Sequence, residues 1–173
     1  MARNVLVDAG FVVALLSSRD AHHQWAVTQA SELPPPWFTC EAVLSEAFHL
    51  LGKLGTPNLG ALLRRGALLV AFTLTENVEP VLKLIEKYSN VPMGFADACL
   101  VRMTETLADP IILTADQDFR VYRRHSRQVV PCVTPNDLAP LISAETTSVV
   151  RSKAANGGQV KSGQRISLKS GSS

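Results

Sequence analysis

Five acidic side chains of this 173-residue chain could together hold a metal ion, and they are Asp8, Glu46, Asp97, Asp116 and Asp118. Asp8 follows the apolar run "NVLV", and Asp116 and Asp118 follow the apolar run "IILT". Carboxylates that crowd together repel one another unless a cation neutralises them. Because the group contains no His or Cys, its oxygens suit a hard cation such as Mg²⁺ or Mn²⁺. Such an ion activates water for attack on a phosphodiester, so the pattern favours hydrolytic phosphodiester cleavage.

Most of these acids also have an ordinary structural explanation. Asp8 could be a turn residue, and Asp116 or Asp118 could cap the short helix that is predicted to follow. Glu46 lies on a predicted helix, about 40° outside its apolar arc, and could be a surface glutamate. If the acids are functional instead, Thr114 could donate a hydrogen bond that orients Asp116 or Asp118. The segments themselves leave both interpretations open.

Asp97 is the most informative of the acids. It lies in "GFADACLVRMTETL", which predicts a helix that is apolar on nearly all sides. An acid in the first turn could simply favour the helix dipole, with Gly94 as the N-cap. A surface position would serve that purpose equally well, so an acid among apolar neighbours indicates a desolvated functional group. Glu41 lies about 140° from Glu46 around the preceding long helix, so those two acids cannot form one site.

Alternating strands and helices must position these side chains. Apolar runs that are typical of buried strands occupy 4–10, 37–40, 67–74, 110–114 and 128–133. Helical periodicity separates them, with two consecutive helices predicted over 41–54 and 56–66. This alternation predicts an α/β fold, a parallel β-sheet flanked by helices on both faces. Sites in such sheets lie beyond the carboxyl ends of the strands, where Asp8 and Asp116 are expected.

Composition limits the remaining choices. The chain is long enough for one domain, predicted over 1–142, and no apolar run reaches the length of a membrane helix. All 15 acids lie at or before Glu145, and five of the 17 bases follow it. We therefore expect 143–173, a basic Ser/Gly-rich tail, to be disordered. Three cysteines without CxxC spacing indicate a reducing, cytoplasmic compartment.

Basic side chains cluster directly after the last pair of acids. Arginines occupy positions 120, 123, 124 and 127. They could bind the phosphates of a nucleic acid, or they could form a solvated surface. The sequence favours neither.

Four segments resemble, in order and spacing, the acidic motifs of PIN-domain nucleases, above all those of VapC-type toxins from toxin–antitoxin pairs. These segments are "VLVDAG", "TCEAVLSEAFHLL", "YSNVPMGFADACLV" and "ILTADQDF", and the likeness covers roughly residues 4 to 138. It departs from the family at Gly10, where a hydroxyl residue is often found. That departure affects a side-chain hydrogen bond and leaves the acidic motifs complete.

The resemblance implies a PIN-like domain that binds Mg²⁺ or Mn²⁺ and cleaves RNA. It assigns metal-binding and catalytic roles to Asp8, Glu46, Asp97 and Asp116, with Asp118 as an accessory residue. Thr114 is a further accessory candidate, because of the hydrogen bond that its hydroxyl could donate. It also implies a homodimer and a cognate antitoxin that inserts into the site. The alternatives are a housekeeping RNA-processing nuclease and an inactive PIN domain that acts as an interaction module. Loss of an acid would favour the latter, and none is missing here.

Overall fold

The computed structural model describes residues 3–91 and 93–138, which form a parallel sheet, a small hairpin and five α-helices. The sheet strands are β1 (Asn4–Val7), β2 (Trp37–Thr39), β3 (Leu68–Val70), β4 (Pro110–Leu113) and β7 (Cys132–Val133). The hairpin strands are β5 (Arg123–Arg124) and β6 (Gln128–Val129). The helices are α1 (Ala9–Leu16), α2 (His23–Glu32), α3 (Glu41–Arg64), α4 (Leu74–Lys87) and α5 (Phe95–Thr106). Short 3₁₀ helices span Gln117–Arg120 and Pro135–Leu138.

The order of the strands determines where a site can form. The sheet runs β3-β2-β1-β4-β7, with every pair parallel. The chain leaves β1 on one side for β2 and β3, and returns on the other side for β4. Crossovers between parallel strands are almost always right-handed, which places α1 to α3 on one face and α4 with α5 on the other. The contacts of α1 with α2 and α3, and of α4 with α5, match this division, and α3 also contacts α5. The predicted fold class is confirmed, and the reversal between β1 and β4 marks the crevice where ligands bind in open α/β sheets.

Core packing fixes the carboxyl ends of these two central strands. Val7 pairs with Leu113, and both side chains are fully buried. One turn into α1, the ring of Phe11 packs edge-on between Trp25 and Trp37, with ring centroids 5.7 and 5.6 Å away. Aromatic pairs in this arrangement are worth about 1 kcal/mol beyond the area they bury. The start of α1, and with it Asp8, is therefore held firmly against the sheet.

The structure confirms one sequence expectation with shifted bounds and corrects another. The two consecutive helices predicted over 41–54 and 56–66 are present within the range of α3, and they meet at a kink at Gly52, whose φ is 57°, rather than after residue 54. Glycine adopts this left-handed conformation without steric cost. The single strand predicted over 128–133 is divided, because Pro131 has no amide hydrogen to donate and separates β6 from β7. Its first part pairs with β5 and its second part with β4.

Some expectations concern residues that the structure does not describe. The predicted tail over 143–173, and the end of the predicted domain beyond 138, lie outside the described residues. Within the described ranges, no helix combines the length and the apolar character that a membrane span requires.

Candidate active site

An open cleft of about 1060 Å³ lies at the carboxyl edge of the sheet. The strand ends, the first turns of α1 and α5, and the N-terminal part of α3 surround it. Four of the predicted site residues line this cleft, namely Asp8, Glu46, Asp97 and Asp116. No Lys or Arg is among the described residues that line it. The fold therefore gathers four carboxylates from distant parts of the chain around one space, and provides no cationic side chain there to balance them.

Asp8 is the most constrained of the four. It is the N-cap of α1, where its Oδ1 accepts a hydrogen bond of 2.6 Å from the Phe11 amide. Its Oδ2 accepts a hydrogen bond of 2.5 Å from the Thr114 hydroxyl. Only 7% of Asp8 is exposed. The pKa of Asp8 is raised to about 7, mainly by burial and to a smaller extent by the charges of Asp97 and Asp116, while the two hydrogen bonds oppose this rise.

Thr114 connects Asp8 to the loop after β4. The backbone amide of Asp116 donates to the Thr114 hydroxyl oxygen at 2.9 Å. The amide of Asp118 in turn donates to Asp116 Oδ1 at 2.8 Å, which makes Asp116 the N-cap of the 3₁₀ helix. The expectation that Thr114 donates to Asp116 or Asp118 was wrong, because its proton goes to Asp8. Asp116 lines the cleft, whereas Asp118 is not among the lining residues.

Asp97 reaches the cleft from the first turn of α5. Its Oδ2 accepts a hydrogen bond of 3.0 Å from the Gly94 amide, so it also helps to cap the helix. Desolvation raises the pKa of Asp97 to about 6, and the charges of Asp116, Glu46 and Asp118 add to this rise. The structural and functional interpretations of this acid are therefore compatible. A residue that caps its own helix still faces the other carboxylates.

Glu46 differs from the other three acids because its side chain is exposed. It lies on α3 and forms no hydrogen bond with any other described residue. His49, three residues further along α3, is also exposed and lines the same cleft. The sequence interpretation overlooked His49. Its spacing from Glu46, which puts both on one helix face, was the available signal.

The four carboxylates fit a hard divalent cation through the chemistry of their donor atoms. Their negative charges reinforce one another in a cleft without a counter-charge, and a cation would relieve that repulsion. Gly10 leaves the space beside Asp8 unfilled, where a Cβ would make ordinary van der Waals contact with Ala115 at 3.4 Å and with both Asp8 carboxylate oxygens at 3.5 Å. Within residues 3–91 and 93–138, however, no three His, Cys, Asp or Glu side chains are already arranged to hold a metal ion. The donor set is present, and its ligand geometry is not preassembled.

The structure separates the four arginines that follow the site into two groups. Arg120 pairs with Asp137 and donates to the Thr134 hydroxyl at 2.9 Å. Arg123 Nη1 donates to three backbone carbonyls, at 2.7, 2.9 and 2.8 Å. Both guanidinium groups therefore stabilise the chain itself. Arg124 and Arg127 form no ion pair with the described residues, and remain candidates for binding phosphate.

Comparisons with known proteins agree with this architecture. No curated protein sequence matches the chain. Among solved structures, it resembles VapC20 of Mycobacterium tuberculosis, a toxin that cleaves the sarcin–ricin loop. The likeness covers 58% of this chain and 83% of VapC20, with 23% sequence identity and a TM-score of 0.50, and it supports the fold. The sequence model of the PIN domain matches residues 5–125, which include all four acids of the cleft. The chain therefore belongs to the PIN domain family.

Proposed function

We propose that the protein is a metal-dependent endoribonuclease that hydrolyses phosphodiester bonds of RNA. The observation that carries this proposal is the convergence of four carboxylates on one cleft without a cationic side chain. Membership of the PIN domain family supports the same chemistry. The inactive-module alternative gains no support, because every acid that the motifs require is present and faces the same space.

In this proposal, Asp8, Asp97 and Asp116 would hold Mg²⁺ or Mn²⁺, and Glu46 would bind the ion or orient water. When bound, the ion would supply activation of the attacking water and stabilisation of the leaving oxygen. Asp118 would act from outside the cleft through its charge, which already raises the pKa of Asp97.

The protein's own groups would perform the remaining tasks. Thr114 holds one oxygen of Asp8 in place and the Phe11 amide holds the other, so that carboxylate keeps its direction. Glu46 and His49 are exposed at the rim, where they could accept or deliver a proton without first breaking an internal bond. The open shape of the cleft would admit a strand of RNA rather than enclose a small molecule.

We further propose that the protein is the toxin of a toxin–antitoxin pair, acts in the cytoplasm as a homodimer and is inhibited by a cognate antitoxin. Its structural similarity to VapC20, itself a toxin, supports this assignment. Exposed apolar side chains are consistent with protein partners, and Leu54 is 93% exposed and Val129 is 63% exposed. Production of the protein should arrest growth, and co-production with a small protein encoded beside it should restore growth. A housekeeping nuclease would not stop growth when produced alone.

The nuclease activity itself can be tested with single-stranded RNA, with added Mg²⁺ or Mn²⁺ and with EDTA. We expect cleavage that EDTA abolishes. Asp8→Asn and Asp97→Asn should each reduce it by at least about a hundredfold, because even the outer-shell partners of metal ligands typically contribute about 10- to 100-fold. Asp109→Asn is the matched control, since this exposed aspartate precedes β4 at the opposite edge of the sheet. Circular dichroism should verify that each variant folds. Undiminished cleavage by folded, metal-saturated Asp8→Asn and Asp97→Asn proteins would overturn the proposal.

A further inference from the structure

A second, smaller pocket of about 370 Å³ opens beside the acidic cleft. It lies between the start of α3, the start of α4 and the start of α5. Ala42 and Phe95 line both cavities, so the two spaces share a wall. Ligand pockets in proteins usually have volumes of about 300 to 1,000 Å³, and this one is therefore large enough for a planar ring.

Phe95 is the most unusual residue of that shared wall. It is 44% exposed, more than any other Phe, Tyr or Trp side chain among the described residues. It is the first residue of α5, two positions before Asp97. An exposed aromatic ring next to a group of acids has no role in the core. Unstacked bases of single-stranded RNA bind to such rings, because each base has an apolar face.

The rest of the pocket offers groups that can recognise the edge of a base. Thr73 and Thr75 are exposed, and neither hydroxyl forms a hydrogen bond with other described residues. Glu41 is likewise exposed and unpaired within the described ranges. The thiols of Cys40 and Cys99 form a buried, weakly polar floor, with each residue 1% exposed. The pocket thus combines an aromatic face, two hydroxyls that can donate or accept, and one carboxylate that only accepts.

The geometry of α3 explains how two acids of one helix serve two cavities. Glu41 and Glu46 lie about 140° apart around the helix axis. Glu46 accordingly lines the acidic cleft, and Glu41 lines the second pocket. Because the two cavities also share Ala42 and Phe95, they adjoin closely enough for a strand whose phosphate enters the cleft to place a neighbouring base at the pocket.

We propose that this pocket binds one unstacked base next to the phosphate at which the RNA is cut. The proposal rests on the proposed nuclease function and adds to it a determinant of sequence preference. Phe95 would stack on the base, and Glu41 would accept a hydrogen bond from an exocyclic amine. Adenine, cytosine and guanine carry such an amine, whereas uracil carries none, and the two carbonyl oxygens that flank its single N–H donor would repel the carboxylate. The pocket should therefore select against uracil.

The first test is cleavage of a short RNA library with randomised bases, followed by sequencing of the products. At one position beside the cut, we expect uracil to be disfavoured about tenfold, as for a single good base contact. Glu41→Gln should remove this discrimination, because an amide can donate to a carbonyl as well as accept. Phe95→Ala should lower cleavage about tenfold and flatten the preference, and Phe95→Trp should preserve it. The matched controls Glu79→Gln and Leu82→Ala change exposed residues of α4 that line neither cavity, and should leave the preference unchanged.

A second test separates this proposal from the nuclease function. RNA carrying the fluorescent base 2-aminopurine should bind the Asp8→Asn protein, with a change in fluorescence that Phe95→Ala abolishes in the same background. Cleavage without any base preference, or binding without a Phe95-dependent change, would overturn the pocket and leave the nuclease function standing. If Phe95→Ala alters only the oligomeric state, the ring belongs to a protein interface and the proposal fails. Absence of both RNA binding and cleavage would overturn both proposals.

Discussion

The two halves of the acidic cleft carry the same kind of charge and are built in opposite ways. In the buried half, Asp8 and Asp116 follow strand ends, and the fully buried hydroxyl of Thr114 connects them. It donates a hydrogen bond to the Asp8 carboxylate and accepts one from the Asp116 backbone amide. In the exposed half, the side chains of Glu46 and His49 project from α3 and form no hydrogen bond or ion pair with other described residues. The buried half is therefore fixed before any ligand arrives. The exposed half can adjust to an ion or a substrate.

This difference has an energetic side. Burying a carboxylate is costly, and the hydrogen bonds from Phe11 and Thr114 offset only part of the cost to Asp8. The fold tolerates this desolvation penalty at Asp8, whose carboxylate is held in one orientation by its hydrogen bonds. An exposed acid such as Glu46 has no comparable desolvation penalty, and no hydrogen bond from the described residues fixes the orientation of its carboxylate. Substitutions in the two halves should consequently affect different properties.

Among substitutions that leave all four carboxylates in place, the largest effect is expected from Thr114→Val, which keeps the shape of the side chain and removes its hydroxyl. Asp8 would lose a donor and the Asp116 amide would lose an acceptor, so cleavage should fall about 10- to 100-fold. The free energy of unfolding should fall by about 1 to 3 kcal/mol. Thr39→Val is the matched control, because that buried hydroxyl donates to the Val7 carbonyl at 3.1 Å and touches no acid. Equal losses of activity in the two variants would show that the hydroxyl of Thr114 has no special role.

The buried half should also make the cation-free protein less stable as the pH rises. Asp8 has a raised pKa of about 7, so between the ordinary carboxyl pKa and pH 7 the folded state binds more protons than the unfolded state. The resulting stabilisation is complete below about pH 4 and is lost as the pH rises through 7, by a few kcal/mol. Urea unfolding in EDTA from pH 4 to 8 would measure this loss. Asp8→Asn should make the free energy of unfolding depend less on pH over this range. An unchanged dependence in the variant would contradict the assignment of the effect to Asp8.

A divalent cation should oppose this loss of stability at high pH. Because carboxylates must be deprotonated to bind it, Mn²⁺ should raise the melting temperature more at pH 8 than at pH 5.5. Asp97, whose pKa is raised to about 6, should contribute to the same dependence. Differential scanning fluorimetry with Mn²⁺ and with EDTA would test it. If Mn²⁺ raised the melting temperature equally at both values of pH, the ion would bind elsewhere. The control variant Asp109→Asn should respond to Mn²⁺ like the unmodified protein.

The sequence was sufficient to predict the parallel α/β fold and the position of Asp8 and Asp116 at one edge. Each apolar run that ends in an acid predicts a strand with a carboxylate at its end, and parallel strands bring their carboxyl ends to the same edge of the sheet. Asp97 was found because it interrupts an apolar helix, a contrast visible within one turn. The two helices within α3 were also predicted, but their junction at Gly52 and the division between β6 and β7 at Pro131 were not, because hydrophobic periodicity does not reveal the effect of these two residues.

The contacts of Thr114 and the location of Phe95 were beyond local patterns. Thr114 lies 106 residues from Asp8, so only the pairing of β1 with β4 brings its hydroxyl to that carboxylate. Phe95 looked like an ordinary member of an apolar helix, since nothing in the sequence says which ring is left uncovered. The location of Glu46 could be predicted only in part. Its angle on the helix placed it at the border of the buried face, but only the packing of the neighbouring elements makes that border part of a cleft.

The smallest effects should come from the exposed half. Glu46→Gln removes a charge and no hydrogen bond within the described residues, so the free energy of unfolding should change by less than about 0.5 kcal/mol. Cleavage at saturating Mn²⁺ should fall about tenfold, with a smaller rise in melting temperature on addition of the ion. His49→Gln should be milder still, and Glu79→Gln on α4 should do nothing. If Glu46→Gln destabilised the cation-free protein as much as Thr114→Val, the two halves would not differ as their burial indicates. If it left both cleavage and the response to Mn²⁺ untouched, Glu46 would be a surface residue that merely borders the site.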